Sequence, residues 1–392
     1  MSSKKQPPLA PTPPSTVFAL DARLAQMREG CIECGACVRE CAFLRRYGTP
    51  WRIAHEWGSP RAEHERLPFS CSLCGLCATV CPQDLDPRAL FLDMRRAAVR
   101  QGLGRYPEHD RLVDYETRGT SPRYTWYGLP EGCDTVFFPG CTFPATRPAV
   151  TRKLFHFLAD KVPNLGVVMD CCTKPSHDLG REQAFGERFF ELRDWLVQRG
   201  VRRVLVNCPN CFGVFARYGE ELQVETVYEY LAANGVPQGA NLSGAVSVHD
   251  PCPLRDQPQA HQSVRTLLAR MGLEVKEMKH HGTNTVCCGE GGNVAPVDRQ
   301  LAANWGNVRR EESRSRTVVT YCAGCTAYLS SYVPAVHVLD LVFFPKLAAA
   351  GQAKISGPPL TYLNRLRLKA WFKRTIKAVH ERVRPTGLDN GS

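Results

Sequence analysis

Between residues 131 and 348 the chain alternates short apolar runs with longer segments of helical period. TVFF at 135–138, GVVM at 166–169, RRVLV at 202–206, AVSV at 245–248 and TVV at 317–319 are rich in β-branched and aromatic residues. They read as buried strands. The segments EQAFGERFFELRDWLVQRG and SVRTLLARMGLEV between them carry helical periodicity. Strands alternating with helices predict an α/β arrangement with mainly parallel sheets. Ligands of such sheets gather outside the carboxyl ends of the strands. The region before residue 105 lacks this pattern; helical turns are expected around YGTPWRIAHEW, and residues 1–20, rich in Pro, Ser and Lys at their start, read as a disordered leader.

Nineteen cysteines in 392 residues change the picture. No apolar run follows the leader and no stretch approaches membrane-spanning length, so the expected location is cytoplasmic. In a reducing compartment such a pattern points to metal or redox chemistry, not to disulfides. CIECGACVREC places Cys31, Cys34, Cys37 and Cys41 at C-x-x-C-x-x-C-x-x-x-C, and CSLCGLCATVCP repeats the run at Cys71, Cys74, Cys77 and Cys81. This is the two-cluster ferredoxin spacing. Three thiolates of each run hold one 4Fe-4S cubane and the fourth reaches the other cluster. The expected sets are Cys31, Cys34, Cys37 with Cys81, and Cys71, Cys74, Cys77 with Cys41. A pair of zinc knuckles would not need the doubled run.

Ten further cysteines form two series: Cys141, Cys171, Cys172, Cys208 and Cys211, then Cys252, Cys287, Cys288, Cys322 and Cys325. Corresponding members lie 111 to 116 positions apart, as in a duplicated unit with small loop insertions. Most of these cysteines follow predicted strands, so several strand ends can converge five thiolates on one point. Five is one more than a cubane uses. Adjacent thiolates in the doublet NTVCCGEGGN could bind neighbouring irons or bridge irons in a distorted cluster, with Gly289 giving the backbone room. A cubane with one spare thiol fits the residues equally. Cys133, outside both series, reads as a small buried hydrophobe.

These two series resemble the cysteine-rich CCG-domain family, whose members include the catalytic subunits of heterodisulfide reductase. The order, ferredoxin domain and then two CCG modules, is similar to one such heterodisulfide reductase subunit and to the iron-sulfur subunits of glycolate oxidase and anaerobic glycerol-3-phosphate dehydrogenase. The resemblance implies a noncubane 4Fe-4S cluster on each set of five cysteines, a pseudo-twofold between modules, and disulfide cleavage between them. One departure is Thr173, where the family usually has Gly after the doublet. His177, His249 and Glu290 are candidate proton donors, with ordinary polar roles as the alternative.

The expected organisation is α/β: a leader at 1–20, a mostly helical two-cluster ferredoxin domain at 21–105, CCG modules at 131–240 and 241–348, and a basic amphipathic helix at 360–385. No G-x-G-x-x-G opens a strand–helix unit, so a flavin or nicotinamide site of its own is not indicated. A partner is therefore expected: a flavoprotein dehydrogenase or a membrane cytochrome, with a thiol or disulfide as the candidate substrate. The net charge of +12 is concentrated in residues 361–384, where eight Lys and Arg oppose one Glu. Leu368, Phe372, Ile376, Val379 and Val383 follow helical spacing there. That pattern suits either peripheral membrane contact or a helix packed on its own domain. Without further aromatic platforms, nucleic-acid binding is not expected.

Overall fold

The computed structural model describes residues 17–58, 66–237 and 241–385. The expected leader is helical from residue 17, and its first sixteen residues lie outside the described ones. The N-terminal part is built from helices Val17–Gly30, Ala36–Glu40, Ala42–Tyr47, Pro50–Glu56, Leu76–Thr79 and Pro87–Arg100. Local chemistry fixes their ends. Thr49 caps Pro50–Glu56 by accepting from the Arg52 amide at 3.2 Å, with proline at the first helical position. Asp86 caps Pro87–Arg100 in the same way through the Ala89 amide. Leu24, Met27, Phe43, Leu44, Leu90, Phe91 and Met94 form the core of this part, and Val294, Leu301 and Ala302 from far along the chain share it. The ferredoxin part is thus packed into the second module.

Among the described residues ten strands follow: β1 Trp126–Leu129, β2 Thr135–Phe138, β3 Gly166–Met169, β4 Arg203–Val206, β5 Gln223–Thr226, β6 Ala245–His249, β7 Glu274–Val275, β8 Val318–Thr320, β9 Ala335–His337 and β10 His380–Arg382. They form two sheets, ordered β10-β1-β3-β2-β4-β5 and β7-β6-β8-β9. The parallel core β3-β2-β4-β5 of the first has the same order as the whole of the second. The duplication suggested by the cysteine offsets is thus also one of topology. In each sheet the first strand of the module, β2 or β6, has its next strand on one side and the one after it on the other. A crevice opens at that switch point, outside the carboxyl ends of the strands.

Two features of the first sheet depart from a purely parallel reading. β1 runs antiparallel to β3, and β10 runs antiparallel to β1. The basic tail supplies β10, which corrects the expectation of one helix over 360–385: the helix is Leu360–Thr375, and the chain then extends into a strand. Leu368, Phe372 and Ile376 are buried in the first module's core, with Phe155 edge-on to Phe372 at 5.0 Å. Val379 and Val383, beyond the helix, are exposed. Three of the five apolar positions expected to meet either lipid or protein are therefore packed against protein. Among the described residues, no helix is long and apolar enough to cross a membrane.

Candidate metal centres

The two ferredoxin-type runs fold into matching loops. Glu33 and Leu73 both adopt φ of 50°, and Gly35 and Gly75 have φ of 71° and 80° before short helices. The left-handed glycines turn each chain so that successive thiols face inward. One cavity is lined by Cys31, Cys34, Cys37 and Cys81, the other by Cys41, Cys71, Cys74 and Cys77, while Cys77 borders both. The fourth cysteine of each run therefore lies with the other run's three, as the spacing predicts. Cys34 is exposed and Cys71 buried, so the first cavity is the outer one. Burial and then neighbouring thiols push Cys37 up to about 11 and Cys41 up to about 12. Holding several thiolates at one such point takes a compensating cation, which is the demand an iron–sulfur group meets.

Both five-cysteine sets are closed by the same contacts. In the first module Cys141 meets Cys171, Cys172 meets Cys211, and Cys211 meets Cys208. In the second, Cys252 meets Cys287, Cys288 meets Cys325, and Cys325 meets Cys322. The strands explain the convergence: Cys141 follows β2, the first doublet follows β3, and Cys208 follows β4 as the residue capping helix Pro209–Tyr218. Cys252 follows β6, and Cys322 follows β8 as the cap of helix Ala323–Leu329. The second doublet instead ends a loop beyond the short β7. Hydrogen bonds from neighbouring thiols hold Cys172 down to about 6 and Cys288 down to about 7. The equivalent cysteine is thus held below its ordinary value in each module, and in the first module Cys208 is lowered as well. Cys133 lies buried outside both sets, its thiol 3.3 Å from the Thr135 carbonyl.

The glycines after the second doublet do more than relieve its backbone. Gly289 has φ of 117°, and a Cβ there would lie 2.1 Å from the Tyr328 ring. A Cβ on Gly292 would come within 2.4 Å of the Cys71 carbonyl, and one on Gly291 within 2.7 Å of the Ser72 carbonyl. Gly291 and Gly292 let the doublet loop lie directly on the ferredoxin loop, while Gly289 makes room for Tyr328 of its own module. Thr173 takes the corresponding turn in the first module with φ of 55°, wholly buried, its hydroxyl donating to the Cys172 carbonyl at 2.8 Å. The departure from Gly keeps a left-handed backbone.

Several residues that hold the centres together were not singled out from the sequence. Arg95 is fully buried and donates to four backbone carbonyls: Pro68 at 2.9 Å, Cys71 at 2.6 Å, Asp178 at 2.6 Å and Gly292 at 2.8 Å. It ties the ferredoxin part to both modules. Arg255 donates to the Cys74 carbonyl and to the Thr285 carbonyl just before the second doublet. The Tyr228 hydroxyl lies within hydrogen-bonding reach of the carbonyls of Asn207 and Tyr321, which precede Cys208 and Cys322.

The three candidate proton donors fare differently. Both His177 nitrogens are engaged, Nδ1 with Asp178 at 2.8 Å and Nε2 with the Tyr218 hydroxyl at 2.9 Å, and burial holds its pKa down to about 4. It is a neutral member of an internal network. The Glu290 carboxylate lies over Gly324 of its own module, where a Cβ would collide with it; enclosure first, and then Cys141 of the first module, raise its pKa, although the residue as a whole is exposed. His249 is buried at the end of β6, and among the described residues neither ring nitrogen has a partner.

Residues 30–86 match a 4Fe-4S dicluster domain, and residues 135–216 and 246–330 each match the cysteine-rich domain called CCG. The chain is 28% identical over 341 residues to a fumarate reductase (CoM/CoB) subunit of Methanothermobacter marburgensis, covering 76% of this chain and 67% of that one. It is 24% identical over 365 residues to a dihydromethanophenazine:CoB–CoM heterodisulfide reductase subunit of Methanosarcina barkeri, covering 77% and 88%. It is 30% identical over 320 residues to a probable membrane-anchored ferredoxin of Chromohalobacter salexigens, covering 72% and 47%.

Proposed function

For a chain that belongs to the iron-sulfur proteins joining a 4Fe-4S dicluster domain to two CCG domains, we propose an electron-transferring oxidoreductase subunit whose CCG modules carry out thiol/disulfide chemistry. We assign two cubanes to Cys31, Cys34, Cys37 with Cys81 and to Cys71, Cys74, Cys77 with Cys41. Two further groups, noncubane as the resemblance implies, go to the five-cysteine sets. When bound, these groups supply one-electron carriers, and disulfide cleavage takes two electrons.

The observation that carries this reading is that the two alike thiol sets lie close enough for groups of each module to act on groups of the other. Lys174 of the first module acts electrostatically on Cys252 of the second, and Cys141 of the first acts on Glu290 of the second. The order of the loops supports the relay: Cys34 is exposed at the outer cavity, Cys77 borders both cavities, and Cys74 lies close enough to act on Cys287 and to be acted on by Cys252. Electrons would enter at Cys34 and reach the second module first. A partner redox subunit then docks at that outer end, in keeping with relatives that are named as subunits of reductases. We place the protein in the cytoplasm.

A second reading is favoured by the same exposed entrance: an electron-transfer subunit of a glycolate-, lactate- or glycerol-3-phosphate-type dehydrogenase, linking a flavoprotein to a quinone or membrane cytochrome. One experiment separates them. Anaerobically purified protein should carry about sixteen irons, four per group. Oxidised protein mixed with a panel of thiols should then give a new paramagnetic signal that Cys288→Ser removes, while the ferredoxin signals persist. Thiol-independent spectra together with reduction by a dehydrogenase and reoxidation by a quinone analogue would leave only the relay.

A further inference from the structure

The two modules are built alike in their cysteines but not in the residue that closes the strand above them. Three positions before Cys141 stands Phe138, fully buried and edge-on to Phe215 at 5.1 Å. Three positions before Cys252 stands His249, also fully buried. Its ring, unlike that of Phe138, carries two nitrogens, and neither has a hydrogen-bond partner among the described residues. A polar side chain enclosed without partners is costly, so buried imidazoles ordinarily sit against a donor, an acceptor or a metal. What His249 faces is the second thiol set. One of its nitrogens and the sulfurs of Cys288 and Cys325 lie within 4.8 Å of one another.

A second group at the same place shows the same deficit. Arg309 is fully buried, and its Nε and one terminal nitrogen have no partner among the described residues, although its other terminal nitrogen donates to the His280 carbonyl at 2.7 Å. Cys287 and Cys288 act on it electrostatically. The second set is therefore flanked by an imidazole and a guanidinium, each with ring or guanidine nitrogens that no described residue satisfies. A negatively charged thiolate–metal group would meet both.

We propose that His249 contributes a ring nitrogen to the iron–sulfur group of the second module, a contact that the first module, with Phe138, cannot make. The proposal rests on the assignment of a group to each five-cysteine set. Imidazole is a borderline ligand that suits iron as thiolate does, and exchanging sulfur for nitrogen contacts is one way a protein raises the potential of an iron–sulfur group. The two modules would then be unequal electron acceptors. The one nearer the ferredoxin loops through Cys74 would carry the nitrogen contact.

The test uses the full chain, loaded anaerobically, with natural-abundance or 15N-labelled histidine. Pulsed paramagnetic resonance of the module signals should show a histidine nitrogen coupling whose pattern changes with the label. His249→Phe, which copies the first module, should abolish that coupling and lower the midpoint potential of one module group while iron stays near sixteen per chain. If this variant loses iron, His249→Gln, which keeps a polar side chain, supplies the same comparison. Full iron and a module signal with no histidine coupling in the unsubstituted protein would overturn the proposal while leaving the function reading intact. An iron content near eight with only ferredoxin signals would overturn both.

Discussion

Arg384 places its guanidinium 2.7 Å from Asp170, 214 residues earlier in the chain, and the other oxygen of that carboxylate accepts from the Cys171 amide at 2.7 Å. The residue before the first doublet is thus held by the last described turn of the tail. Both partners are buried, and Tyr127 also donates to Asp170. Enclosed away from water, a carboxylate that orients a cysteine pair needs a cation beside it, and the tail brings one after β10 has paired with β1. The basic segment is therefore part of the first centre's support.

Arg384→Met should leave Asp170 buried and unpaired, at a cost of about 3–5 kcal/mol. The expected result is a lowered melting temperature and a loss of iron confined to the first module, with ferredoxin signals unchanged. Unaltered stability and iron would show that Tyr127 alone sustains the carboxylate.

Arg95 offers a different kind of support, because its four acceptors are backbone carbonyls and, among the described residues, no carboxylate forms an ion pair with it; burial lowers its pKa to about 10. Arg95→Met should strand several of those carbonyls, each worth about 1–3 kcal/mol when left unsatisfied. Unfolding should then separate into an early ferredoxin-domain step and a later module step, read by calorimetry and by protease cleavage between residues 100 and 130. A single transition at the original temperature would refute the clasp.

Much of this was legible in the sequence. The cysteine spacings give the grouping, because ligand geometry fixes them closely, and the β-branched runs give the strands that precede Cys141, Cys171, Cys208, Cys252 and Cys322. What escaped depends on contacts between distant segments. Nothing in PRALFLDMRRAAVR distinguishes Arg95 from its neighbour Arg96, which instead pairs with Asp93. β10 is three residues long and mostly exposed, so it has no apolar alternation to betray it. The tail's heptad-like spacing continued past Thr375 only in the pattern, since Val379 and Val383 point away from the core.

Thr173 gives a test of the one departure from the expected doublet. A left-handed residue other than glycine costs about 1–2 kcal/mol, and glycine's freer unfolded chain offsets about 0.5–1 kcal/mol of any gain. Thr173→Gly also loses the hydroxyl bond to the Cys172 carbonyl. Stability should consequently change by less than about 1 kcal/mol, with full iron retained. A drop in first-module iron would mean that the hydroxyl, and not the turn, positions the doublet.

His280 makes the docking of the ferredoxin part sensitive to pH. Its Nδ1 pairs with Glu312 of the second module, and its Nε2 lies 3.0 Å from Glu40, the residue before Cys41. Arg309, whose guanidinium contacts the His280 carbonyl, opposes the charge, but the two carboxylates prevail and the histidine pKa is raised, with Glu312 the largest cause. A group whose folded pKa lies above its unfolded value of about 6.5 stabilises fully below that value and loses the contribution as pH rises through the folded pKa. Glu312, held below the usual carboxylate range, sets the acid limit, because its share is lost as pH falls through its own folded value. The bridge should therefore be strongest at mildly acidic pH. His280→Gln keeps hydrogen-bonding capacity without the charge, so the difference in melting temperature between the unsubstituted protein and this variant should be largest near pH 6 and shrink toward pH 9. A difference that stays constant across that range would mean that the histidine bridges the two parts without carrying a proton.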